Sequence, residues 1–197
     1  MAGQLRLKLD VIELTKKATG SNVDKRDAYL KVLANEQIKR EFGKRCIDSI
    51  IERTLEGKDK KGNPWSGRAA KYSESYKLSD EFRIYGKSPS LVNLKLTGNM
   101  QAAIDVVAIN SRSVTLGFIG QEENDKAHGH VNGANYLPVR DFWGIPEKDQ
   151  IAILKETIKD FINLKDIQIS QVEQTRINIG GDDNITQQEI NTEFFNG

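Results

Sequence analysis

Cysteine and histidine are scarce in this chain: one cysteine, Cys46, and two histidines among 197 residues. A single cysteine excludes an intrachain disulfide framework and every zinc site built on several thiolates. Long apolar runs are missing too. No stretch approaches the ~20 apolar residues of a membrane-spanning helix, and the opening MAGQLRLKLD lacks the apolar block of a secretory signal. The expectation is a soluble chain that crosses no membrane. An excess of one charge is also lacking, since 29 Lys and Arg face 28 Asp and Glu, which excludes a chain-wide electrostatic grip on nucleic acid or anionic lipid. Neither a G-x-S-x-G elbow, nor a phosphate loop ending in G-K-[ST], nor G-x-G-x-x-G occurs. With so few histidines and thiols, Ser/His and Cys/His mechanisms have no supporting context. The reading is a non-enzyme with no catalytic residue, no metal and no cofactor.

What the chain does have is uneven charge. Lys58 to Lys95 holds nine basic and four acidic residues, a net of +5, and Asp166 to Gly197 holds one basic and six acidic, a net of −5. The periodicity predicts a long helix over about 24–56. There Leu30, Leu33, Ile38, Phe42, Cys46, Ile47, Ile50 and Leu55 recur at spacings of three and four, with Gly43 as the place for a bend. Cys46 sits inside this stripe as a small buried hydrophobe. The segments AIDVVAIN and RSVTLGFIG alternate around Asn110-Ser111 as a β-hairpin does, and QLRLKLDVI alternates like a third strand. A last helix follows Pro146, with Ile151, Leu154, Ile158, Phe161 and Ile162 on one face. The fold class expected is α+β: a long N-terminal helix and a C-terminal helix on an antiparallel sheet, with extended terminal arms. The predicted layout is an N-terminal arm or strand (1–23), a body (24–165) and an acidic polar extension (166–197). In that extension Ile167, Ile169, Val172, Ile177 and Ile179 fall near alternate positions, which suits a strand added to a sheet edge. Phe194-Phe195 is unusual for a solvated tail.

Three constellations have chemical potential. His128 and His130 in AHGHVNG share a face if the segment is extended, so a metal-dependent enzyme is a minor alternative; the competing reading is two loop histidines at a polar surface. Lys58, Lys60, Lys61, Arg68 and Lys71 interleave with Trp65, Tyr72 and Tyr76, a pattern that suits phosphate contact plus base stacking. A nucleic-acid-binding domain using loop 58–76 is therefore an alternative function; the other reading is a turn whose Trp65 anchors it by burial. In NYLPVRDFWGIPEKD, Arg140 stands beside Asp141 among Phe142 and Trp143. That is either a satisfied intrachain ion pair or an aromatic/Arg anchor of the kind enriched at protein–protein interfaces.

The order of RTLEGKDKKGNPW, YSESYK, LKLTGNMQAAI, VTLGF, KAHGHVNG and LPVRDFWGIPEKD resembles the virion-morphogenesis proteins of tailed bacteriophages, also called tail-completion or neck proteins. The resemblance runs from about Ile47 to Phe161. Its matching positions are Gly62, Pro64 and Trp65, then Leu96, Thr97, Gly98 and Met100, then Gly117 and Phe118. Ala127, His130 and Gly133 follow, then Pro138, Arg140, Phe142, Gly144 and Asp149. Met100 stands where leucine is commoner, and Trp143 is an addition. The resemblance implies a structural subunit of a ring, often hexameric, at the head–tail junction or the tail end. Its partners would be itself and other neck, connector or tail proteins, with non-specific DNA contact in the lumen and no membrane. Its location would be the virion, and the host cytoplasm during assembly. On that reading His130 is structural, its side chain hydrogen-bonded to backbone, and Gly98, Gly133 and Gly144 serve turns with positive φ. Lys58, Lys60, Lys61, Trp143, Ile177, Ile179, Phe194 and Phe195 become candidate interface positions.

Overall fold

A computed structural model of the chain describes residues 3–95, 97–134 and 137–178, with residues 164–178 as backbone alone. Leu96, Tyr136 and everything from Ile179 onward, including Phe194 and Phe195, lie outside the described residues. The chain divides into two compact units, Met1–Lys159 and Asp160–Gly197.

The fold of the first unit is α+β, built around a three-stranded antiparallel sheet. Strands β1 (Arg6–Asp10), β2 (Ile104–Ile109) and β3 (Ser113–Phe118) lie in the order β1-β3-β2. The β2–β3 hairpin turns where expected. Asn110 Oδ1 accepts from the main-chain N–H groups of Arg112 and Ser113, both at 2.9 Å, the local bonding that makes asparagine a turn residue. β1 pairs with the other side of β3, Leu7 opposite Leu116. The central strand is therefore closed on both edges, and all of it except Thr115 is buried.

Of the two readings of the N-terminal residues, arm or strand, Arg6–Asp10 take the strand. Asp10 ends β1 and caps helix α1 (Val11–Thr19), its Oδ1 accepting from the N–H groups of Ile12 and Glu13 at 3.0 Å. Val11 and Leu14 of that helix are buried in the same core as Leu9.

The single helix expected over 24–56 is two: α2 (Val23–Val32) and α3 (Glu36–Leu55). The apolar spacing carries across the break because Leu33 is itself buried. Asn35, in extended conformation, restarts the helix by accepting from Gln37 N–H at 2.8 Å. Helix α3 runs on through Gly43 without a break. That glycine faces the sheet, where a Cβ would lie 2.6 Å from Val106 Cγ2 and 2.9 Å from Val114 Cγ1. Glycine is what lets α3 approach the strands, with Phe42, Cys46 and Ile50 completely buried along it. Burial pushes the Cys46 thiol up to about 12.

Beyond α3 come short helices α4 (Glu74–Lys77), α5 (Asp80–Ile84) and α6 (Asn99–Ala102), then α7 (Gln121–Asn132) and α8 (Glu147–Asn178). In α8, Leu154 and Ile158 of the expected face are buried, while Ile162 is exposed. The strand reading of residues 167–177 is overturned: the backbone stays helical to Asn178. No glycine or proline occurs between Glu147 and Ile179, so nothing interrupts helix propagation there. No helix among the described residues is long and apolar enough to cross a membrane.

Candidate functional site

The two loops with the densest motif content are bonded to each other. The loop after α3 is a tight structure: Asp59 Oδ1 accepts from the N–H groups of Lys61 and Asn63, and Trp65 N–H donates to Gly57 O. Trp65 is half-buried, and its Nε1 donates to Val92 O at 2.8 Å, so the indole anchors the loop. Lys60 N–H donates to Asp141 O at 2.7 Å, and Lys60 Nζ pairs with Asp141 Oδ2 at 2.7 Å. Lys58 Nζ pairs with Glu56 at 2.5 Å. Two of the three lysines proposed for an interface are therefore engaged within the chain, while Lys61 is exposed.

Arg140 has neither of the roles that its sequence neighbours suggest. Its ion-pair candidate, Asp141, is taken by Lys60. The residue is 4% exposed, and its guanidinium donates from Nε to Ala69 O at 2.9 Å and from Nη2 to Lys71 O at 3.0 Å. Its N–H donates to His130 O at 2.7 Å. One residue thus joins the 138–144 loop to the basic loop and to the end of α7. Arg53, buried in α3, does the same further along, donating from Nη2 to Phe142 O and Gly144 O. Trp143, expected at an interface, is 8% exposed and packs on Phe118 with ring centroids 4.8 Å apart. Phe142 is fully enclosed.

The histidines lie on a helix, not a strand. At i and i+2 on α7, His128 and His130 point to different sides, so the shared face needed for two-point metal contact is absent. The expected side-chain bond of His130 to backbone is not formed either: Nδ1 is buried without a partner. Burial, with the Arg140 charge nearby, presses the His130 pKa down to about 4. The three glycines expected at turns have φ of +93° (Gly98), +72° (Gly133) and +157° (Gly144). At Gly133 a Cβ would lie 3.1 Å from Val139 Cγ2 and 3.3 Å from Leu137 O, so the turn out of α7 is built for glycine.

Arg140 and His130 form one end of a cavity of about 770 Å³, bounded by the 68–76 segment, the 87–101 segment, α7 and the 137–140 loop. Thr97, Gly98 and Met100 also line it. Its cationic side chains are Arg68, Lys71, Lys87, Lys95, Lys126 and Arg140, against one carboxylate, Glu123. Lys87 Nζ sits 5.4 Å from the centroid of the Tyr72 ring and donates to Asn93 Oδ1 at 2.6 Å. Burial and the Lys95 charge lower its pKa. Tyr72 and Tyr76 each meet Phe82 edge-on and are tilted by 52° to one another, with all centroids 5.3 to 5.4 Å apart.

Four side chains that line this cavity have a buried polar atom without a partner: Tyr72 Oη, Gln101 Oε1, Glu123 Oε2 and His130 Nδ1. Gln101, 7% exposed, donates from Nε2 to Leu94 O at 2.9 Å, while its Oε1 is buried and unpaired. Glu123 accepts from Lys126 Nζ through Oε1 at 2.8 Å, and its Oε2 is buried and unpaired. Buried polar atoms are nearly always satisfied, so each of these is a cost that the folded body carries. Sequence reasoning missed Lys87, Gln101 and Glu123, because they come from three separate segments with no shared local pattern.

Comparison of the chain with protein-family models, with curated proteins and with solved structures finds no match.

Proposed function

We propose that this chain is a structural subunit of a tailed-bacteriophage virion, forming a ring at the head–tail junction or tail end that completes the tail or joins it to the head. The observation that supports it best is the use made of the motif residues. Arg140, Trp65, Gly133 and Phe142 are spent on bonding and packing loops to one another. A motif whose polar groups hold main-chain carbonyls builds a shape, which is what an assembly subunit supplies. Further support comes from apolar side chains that the body leaves in solvent: Leu78 is 86% exposed and Ile84 74% exposed. Both stand on the α4–α5 segment, where further copies or neighbours could cover them. The working partners are further copies of the chain and neighbouring neck or tail proteins.

The test is genetic and compositional. Interrupting the gene in the genome that carries it should yield filled heads and tails that fail to join, or tails of defective ends, seen by electron microscopy. Peptides of the chain should also be found in purified wild-type particles by mass spectrometry. Particles that lack the protein and still assemble at normal yield would sink the proposal.

A further inference from the structure

We infer that the outer edge of β1 is a docking site for an extended segment of a different protein, alternately acidic and apolar, which joins the sheet as a further strand. In a virion the donor would be a neighbouring neck or tail protein. The site itself stands on the sheet and not on the ring reading.

The two edges of the sheet are not alike. The β2 edge is closed to addition. Its pairing with β3 slips between Val106 and Ala108, a bulge that breaks the spacing of the outward groups. The outward N–H of Val106 already donates to Asp105 Oδ1 at 2.7 Å. The β1 edge is open. Val11 N–H donates to Arg112 O at 2.9 Å, in the register that sets Leu9 opposite Val114 and Leu7 opposite Leu116. Bonded pairs alternate along an antiparallel ladder, so the main-chain groups of Leu7 and Leu9 turn to β3. Those of Arg6 and Lys8 turn away from the sheet. No strand lies beyond them, and among the described residues nothing in the chain bonds them. The inner side of the strand is satisfied even past the end of β3. Asn124, 2% exposed, accepts from Leu5 N–H through Oδ1 at 2.8 Å and donates from Nδ2 to Gly3 O at 3.2 Å. The open edge is therefore held in place for a guest.

Side chains say which guest. Arg6 and Lys8 are exposed on one face, while Leu5 and Leu7 on the other are half-buried beside the enclosed Leu9. Neither cation is in an ion pair among the described residues, and Arg6 donates only to the neutral Gln4 Oε1 at 2.7 Å. Asp10, next on that face, is committed to capping α1. A guest strand thus needs acids opposite Arg6 and Lys8 and apolar side chains at the alternate positions, beside Leu5 and Leu7. No described strand of a second copy meets this. Pairing β1 with β1 would set Arg6 and Lys8 against the same cations, β2 is blocked, and β3 is paired on both sides. The charges turn away copies of the chain and favour a strand of opposite sign.

The probe is a short fluorescein-labelled peptide of alternating glutamate and valine, titrated by anisotropy with the full-length protein. Binding should saturate, and a lysine–valine peptide should bind at least tenfold more weakly. The Arg6→Glu/Lys8→Glu variant should reverse that preference. Both side chains are exposed, so it should melt like the wild type. Lys8→Pro deletes one outward N–H and no bond to β3, so it should weaken binding at least tenfold with unchanged circular dichroism. By NMR, the amides of Arg6 and Lys8 should exchange at least tenfold more slowly with the glutamate–valine peptide bound, whereas Leu7 and Leu9 are slow without it. The inference fails if neither peptide saturates, if the charge-reversed protein keeps the wild-type preference, or if Lys8→Pro binds as well as the wild type. It also fails if the Arg6 and Lys8 amides are already slow in the protein alone and light scattering finds a dimer, which would give the edge to a second copy. None of these outcomes depends on whether the chain is found in virions.

Discussion

The Nη2 of Arg140 donates to the main-chain oxygen of Lys71 at 3.0 Å, closing a gap of 69 residues along the chain. With the Nε bond to Ala69 O, it is a two-point clamp on one short stretch of backbone, and a planar fork is the side chain suited to that geometry. Arg140→Lys should therefore behave as a real loss. A hydrogen bond to a charged donor contributes about 1.5–3 kcal/mol, and these two are part-buried, so the urea midpoint should correspond to a stability lower by about 1–2 kcal/mol. Arg140→Met, which strands both carbonyls, should lose more. Equal midpoints for wild type and Arg140→Lys would show that the clamp is idle.

Gly43→Ala tests the contact of α3 with the sheet. Alanine is the better helix former by about 1 kcal/mol, so on an open helix face the change would stabilise. Here the added methyl meets Val106 and Val114 at 2.6 and 2.9 Å, and both are stiff at χ1. Overpacking of this kind costs about 1–3 kcal/mol, so the net change should be destabilising. Thermal melting of the purified variant decides it, and a raised melting temperature would refute the close approach.

His130 should make stability fall with acid. Its folded pKa is pressed to about 4 from the ordinary 6.5, so between those values the unfolded chain holds more protons than the folded one. Stability from this group is complete above pH 6.5 and declines as pH drops toward 4, by up to about 3 kcal/mol. Denaturant titrations of wild type and His130→Gln across pH 4 to 7 should show the slope in the first and a flatter profile in the second. Parallel profiles would mean that the imidazole is open to protonation in the folded state.

Cys46 should be inert until the chain unfolds. A thiol raised to about 12 and completely enclosed offers almost no thiolate at pH 8, and the thiolate is what reacts. A colorimetric disulfide reagent should titrate no thiol in native protein and one in guanidinium. Rapid labelling of native protein would contradict the packing of α3.

The sheet was legible in the sequence because alternation is a local signal. Val106, Val114 and Leu116 announce their faces, and Asn110 announces the turn. The partner of β1 was not, since pairing Leu7 with Leu116 depends on residues far apart in the chain and leaves no mark near either. The break between α2 and α3 was hidden for the opposite reason: Leu33 keeps the apolar spacing intact while the backbone pauses. Trp143 misled because aromatic density in a loop has the same appearance whether it faces a partner or, as here, Phe118. The extension after Lys165 read as strand because isoleucines at near-alternate positions ignore a stronger fact, the lack of any helix breaker before Gly180. The cavity was the least legible, since Lys87, Gln101 and Glu123 become neighbours only through the fold.

The pairing of β1 with β3 also sets an order in time. Strand β1 leaves the ribosome well before its hydrogen-bonding partner, which spans Ser113 to Phe118. For more than a hundred residues of synthesis, Leu7 and Leu9 are apolar side chains with no sheet to join. Distant pairings of this kind are slow to close, and unpaired strands on incomplete chains invite association with other molecules. Arg6 and Lys8 alternate with those leucines in the same strand, and charges on a strand counter its association with other chains.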